Sequence, residues 1–193
     1  MSHEEMIKYQ VPYAWGAGER LSVEDLFPEG LPPALMEGRS RLDLRWRDTT
    51  APAADAWLWL CQIRRAPYSY DLLDNFGRRS PRIPDPAMTE IDLGQSVMTI
   101  FSITGFEPGQ WFDLGTNGPA QRFLPALAVR YAVIPTEHGS RLAVGMWEDR
   151  DRPRRRSLPS WLFTMGDLIM MRKQLITVCT LAERMSVKKQ DEV

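Results

Sequence analysis

What most limits the fold of this chain is a single long amphipathic segment near its C-terminus, from about Ser160 to Met185. At ~100° per residue, Trp161, Met165, Leu168, Ile169, Leu175, Ile176, Cys179 and Ala182 share one wide apolar face, and Lys173, Thr177, Thr180 and Arg184 mark the wet side. Such a helix must lay its apolar face on something, and the chain ahead of it is mostly strand. Arg172 breaks the pattern, because it projects into the middle of the apolar face, flanked by Met165, Leu168 and Cys179. A buried arginine paired with a carboxylate serves structure, whereas an arginine at a cavity wall fixes the polar end of a ligand.

The strands begin at Arg41. Leu42, Leu44 and Trp46 alternate with Asp43, Arg45 and Arg47, the period of two of a strand with one buried face. Pro52 then opens a helix through AADAWLWLCQI, with Ala56, Trp59, Leu60 and Ile63 on one side, and Pro67 ends it. A second short helix covers about Tyr70 to Phe76, closed by Gly77, and a basic, proline-rich connector runs from Arg78 to Pro86. Strands follow in series: QSVMTIFSIT up to the turn FEPGQ, QWFDLG up to TNGP, and ALAVRYAVIP paired with SRLAVGMWED across TEHG. On the last pair, Tyr131 points inward with Leu127, Val129 and Val133, Met146 points inward with Leu142 and Val144, and Arg130 points to solvent. The order predicts an α+β fold: a curved antiparallel sheet wrapped around a long C-terminal helix, with two short helices after the first strand.

Composition removes several classes of function. With 193 residues the chain fits one domain with an extension: residues 1–40 as the extension, 41–186 as the domain, 187–193 as a polar tail. In the extension, Ser22-Val-Glu-Asp25 is a capping box ahead of Leu26 and Phe27. The net charge of -1 gives no pull toward nucleic acid or acidic membranes. The run DRDRPRRR at 149–156 interleaves no aromatic residues and reads as a solvated loop, so no nucleic-acid partner is expected. Cys61 and Cys179 both sit in hydrophobic runs, which makes neither a disulfide framework nor a zinc site. His3 lies in the N-terminal tail and His138 in a hairpin turn, so a Ser-His-Asp triad, a Cys-His pair and a histidine metal site are disfavoured. No cofactor and no metal are expected. No apolar stretch approaches about 18 residues, and the start lacks the apolar stretch of a signal peptide, so the expectation is a cytoplasmic protein with no membrane span.

The motif Ala66-Pro67-Tyr68-Ser69-Tyr70-Asp71 gathers two phenols, a hydroxyl and a carboxylate at a helix junction. Tyr68 and Tyr70 can donate hydrogen bonds to a ligand carbonyl, and Asp71 can act as a base if burial raises its pKa. The structural alternative is that Ser69 caps the second helix, Asp71 favours its first turn and the tyrosines pack with their hydroxyls in water. Asp71 and Asp74 share a face, with Arg78 placed four residues after Asp74 for surface pairing. Asp71 is the preferred long-range partner for Arg172.

The order of elements resembles the helix-grip or START-like fold (the SRPBCC type), the superfamily of pollen-allergen-like proteins, polyketide cyclases and lipid-transfer domains. More narrowly, WLCQIRRAPYSYDLLDNFGRRSPR, VMTIFSITGFEPG and MGDLIMMRKQLITVCTLAER resemble a group of bacterial members with no assigned chemistry, and the resemblance spans about Arg41 to Met185. It implies a cavity between sheet and C-terminal helix that binds a hydrophobic small molecule, a lipid or a polyketide-like aromatic. The candidate lining is Tyr68, Tyr70, Asp71, Tyr131, Trp161, Met165, Ile169 and Arg172, with no catalytic residue assigned. The alternative is a cyclase, aromatase or dehydratase working through Tyr68, Tyr70, Asp71 and Arg172. A third reading is a protein-interaction module using the extension or the arginine-rich loop.

Overall fold

The structure, a computed structural model, describes residues 10–15, 21–27, 40–69, 79–98, 100–118, 127–149 and 160–191. Strand β1 (Gln10–Trp15) and the short helix α1 (Val23–Leu26) precede β2 (Ser40–Thr49) and α2 (Ala53–Cys61), which runs on as a 3-10 turn over Gln62–Arg64. A second 3-10 turn, Pro86–Thr89, leads to β3 (Ser96–Val97), β4 (Phe101–Glu107), β5 (Trp111–Thr116), β6 (Leu127–Thr136) and β7 (Gly139–Asp149). The long helix α3 covers Ser160–Asp191.

The strands form one sheet in the order β1-β2-β7-β6-β5-β4-β3. From β2 to β3 every pairing is antiparallel, and α2 and α3 lie on one face, so this is the helix-grip arrangement that the order of elements predicts. The β6–β7 hairpin closes between Thr136 and Gly139, as the TEHG turn implies. Gly139 has φ 146°, and a Cβ there would stand 2.3 Å from the Thr49 carbonyl oxygen, so the turn packs on the end of β2 only because the position is bare.

The inner face carries Phe112, Leu114, Val129, Tyr131, Val133, Leu142, Val144 and Met146, packed against Trp57, Trp59 and Leu60 of α2 and Leu175, Val178, Cys179 and Ala182 of α3. Ala56, Trp59, Leu60 and Ile63 are all buried, as the helical spacing predicts. From Met171 onward these side chains of α3 pack against the inner face of the sheet.

The outer face is also covered. Leu42, Leu44, Trp46, Ala132, Ala143 and Trp147 form a second cluster with Leu26 and Phe27, and the Phe27 ring sits 5.9 Å from that of Trp147. A Cβ on Gly145 would lie 2.7 Å from the Trp147 ring and 3.0 Å from Phe27, which explains a glycine in mid-strand. The predicted capping box is present, with Ser22 Oγ accepting from the Asp25 amide and the Asp25 carboxylate accepting from the Ser22 amide. Thus two pieces of the segment ahead of Arg41 belong to this fold: one covers the outer face, and β1 pairs in parallel with β2.

Two expectations from sequence require correction. QSVMTIFSIT is not one strand: the chain reverses between Val97 and Phe101, Ser96 pairs back with Ser102, and Met98 takes φ 48°. Arg130 does point to the outer face but is not in solvent. Asp113 is its register partner on β5 and receives two bonds from its guanidinium, at 2.7 and 2.8 Å, while Trp111 lies beneath it at 4.1 Å. Both partners of this pair are buried.

Candidate functional site

A chain of polar contacts crosses the grip between sheet and helix. Tyr131, inward on β6 as predicted, donates its hydroxyl proton to Gln174 Oε1 at 2.7 Å, and Gln174 Nε2 donates to the Pro67 carbonyl at 2.6 Å. Gln174 is only 4% exposed, so its amide has to be satisfied from within, and both of its ends are. The contact fixes the backbone just before Tyr68. Tyr68 has φ 54°, a conformation costing a non-glycine residue on the order of 1–3 kcal/mol, and its ring stands edge-on to Trp59 at 6.1 Å. Packing on Trp59 and the tether through Pro67 hold it there.

Tyr68 is also where the core meets a groove. An open groove of about 310 Å³ runs between α3 and the segments around Tyr68 and Ser80. Ile176 and Leu181 with Tyr68 give it an apolar floor, Ser69, Ser80, Thr177 and Thr180 supply hydroxyls, and Arg82, Lys173 and Arg184 supply positive charge. Lys173, Thr177, Thr180 and Arg184 are the stripe that sequence marks as the wet side, and the connector turns that stripe into one wall of a groove.

Strand β2 presents its polar residues, not its apolar ones, to α3. The Arg45 guanidinium, 1% exposed, donates to Met171 Sδ at 3.2 Å, with Asp43 buried two residues away on the same side. Further along, Thr49 Oγ1 donates to Glu183 at 2.8 Å, and at the end of the helix Ser186 and Lys189 both donate to Asp55, at 2.8 and 2.5 Å. The two faces of β2 are thereby exchanged relative to an ordinary amphipathic strand, because α1 covers its leucines and tryptophan from outside.

Of the residues singled out from sequence, Tyr68 and Tyr131 come together with α3, one at the groove and one bonded to Gln174. Arg172 does not occupy the middle of the apolar face; it is exposed. The buried arc of α3 is centred on Met171, Leu175, Val178 and Ala182, and Arg172 lies ~100° from Met171, beyond its edge. Tyr70, Asp71 and the predicted helix over 70–76 lie outside the described residues, as does the charge run after Asp149. Trp161, Met165 and Ile169 fall on α3, and their side chains lie outside the described ones. Sequence reading missed Gln174, Ser80 and Arg82. Gln174 had a signal, a lone amide inside an otherwise apolar arc.

Burial pushes the Cys61 and Cys179 thiols up to about 12, since the thiolate has no water to solvate it. Neither is a nucleophile at neutral pH. Among the described residues no three His, Cys, Asp or Glu side chains stand together so as to hold a metal ion, and no described helix is long and apolar enough to cross a membrane.

No protein-family model and no curated protein matches the chain. Among solved structures, protein CV1439 from Chromobacterium violaceum is similar over 74% of this chain and 96% of its own, at 10% identity and a TM-score of 0.46. Protein MLL2253 from Mesorhizobium loti aligns over 75% of this chain and 98% of its own, at 16% identity and a TM-score of 0.44. Ara h 8.0201 aligns over 74% and 97%, at 9% identity and a TM-score of 0.44. In strand order, and in the long helix lying across the inner face, the chain has a helix-grip arrangement.

Proposed function

We propose that the chain binds a hydrophobic small molecule against α3, in the groove floored by Tyr68, Ile176 and Leu181. The observation that carries this reading is the groove itself. Its volume of about 310 Å³ stands at the lower end of the range for small-ligand sites, and two of its floor residues are core residues fixed from behind. A floor held rigid by the core is already shaped before a ligand arrives, which lowers the ordering cost of binding. The strained backbone at Tyr68 supports the same place, because strain held by surrounding packing gathers at ligand sites. Among the described lining residues the chemistry on offer is contact, hydrogen bonding and positive charge, so the reading is binding and not turnover.

The test is native purification followed by mass spectrometry of what travels with the protein, then titration with a panel of lipids and aromatic polyketides. A defined hydrophobic compound is expected, displaced at least tenfold in affinity by Ile176→Trp, which fills the groove from a half-buried position. An empty protein that takes up no member of the panel sinks the proposal.

A further inference from the structure

Among the described residues that line the groove, the charges are of one sign. Arg82 stands on the connector wall, and Lys173 and Arg184 stand on α3. All three are exposed, none has an ion-pair partner among the described residues, and no carboxylate is among the described lining. The whole chain is nearly neutral, with 24 basic and 25 acidic residues, so this local excess does not follow from composition. A cleft lined by one sign of charge concentrates the opposite ion.

Spacing along the helix adds a constraint. Lys173 and Arg184 are three turns apart on one stripe, ~16 Å along the axis, with Ile176, Thr177 and Thr180 between them. The Thr177 and Thr180 hydroxyls each donate to a helix carbonyl, at 2.8 Å, and so offer only lone pairs to the groove. The middle of the groove thus provides apolar contact and acceptors, and positive charge is met at its two ends and on the opposite wall.

We infer that the groove selects an elongated organic anion: an apolar body lying on Tyr68, Ile176 and Leu181, with a carboxylate or similar group held by Lys173 or Arg184 together with Arg82. This rests on the groove being the ligand site and adds the charge of the ligand. Charge-assisted bonds from these side chains are the stronger kind, and at an exposed site they weaken with salt.

Decanoate and 1-decanol, which share a chain and differ in charge, provide the test by calorimetry on the full chain. Decanoate is expected to bind at least tenfold more tightly than decanol at low salt, the gap closing as salt rises. The variant R82Q/K173Q/R184Q, altered only at exposed positions, should bind decanoate no more tightly than decanol while keeping its melting temperature. Equal binding of the two probes overturns the anion inference and leaves the groove proposal standing. A gap that survives in the triple variant also overturns it, by placing the anion elsewhere. Binding of neither probe, with folding intact by circular dichroism, overturns this inference and counts against the groove proposal as well.

Discussion

Arg130 and Asp113 show how a charged pair can lie under the outer surface of a sheet. Their register pairing puts guanidinium and carboxylate side by side, and Trp111 supplies a π face below. Burial pushes the Asp113 carboxyl above its usual range even with two bonds from Arg130, so the charge depends on that partner. Arg130→Met should therefore cost about 3–5 kcal/mol in urea unfolding, since it leaves a buried carboxylate alone, and adding Asp113→Leu should recover part of the loss. Tyr131→Phe should cost about 1–3 kcal/mol by the same measurement, because it strips the buried Gln174 of its donor. Alternation along the strand made the direction of Arg130 legible but not its burial, which depends on a residue of the next strand. Arg172 was misplaced for a related reason: the apolar residues of the first half of the helix drew the supposed face toward it, while the true face is centred on a stripe that includes a glutamine.

At the scale of elements, the surest reading was of pieces whose periodicity and turn chemistry agree: β2, α2 and the β6–β7 hairpin. The β3–β4 reversal was illegible because Met98-Thr99-Ile100 contains no residue that favours a turn, and β-branched neighbours extend the strand pattern through it. The role of α1 could not be read from a four-residue helix among prolines and glycines, although its capping box could. The structure gives that short helix a substantial task, since Leu26 and Phe27 close the outer cluster. Phe27→Ala should cost about 3–5 kcal/mol, seen as a lower denaturation midpoint and as new binding of a hydrophobic dye by the uncovered Trp46 and Trp147. Unchanged stability would mean that the outer cluster holds without its cover. As for the candidate site, Tyr68 and the stripe of α3 were visible in the sequence. The groove was not, since it depends on where a proline-rich connector comes to rest.

For the molecule as a whole, the two buried thiols set an alkaline limit. Each titrates near 12 in the folded state and near 9.0 as an unperturbed thiol, so unfolding releases protons once pH rises past the lower value. Stability from this source is intact below about pH 8 and falls as pH climbs from 9 toward 12, at up to about 1.4 kcal/mol per pH unit for each thiol. Iodoacetamide at pH 8 should accordingly label neither cysteine until denaturant is added, and prompt labelling of the native protein would contradict their burial. A further consequence comes from the covering of both sides of the sheet. Strands β2, β6 and β7 are clamped between α3 on one side and the α1 segment on the other, so the curvature of the sheet has little freedom to breathe. An opening that admits a guest at the groove falls to the connector and the helix, which form its walls. Amide hydrogens of β6 and β7 should exchange at the pace of global unfolding, and those around Tyr68 and Ser80 orders of magnitude sooner.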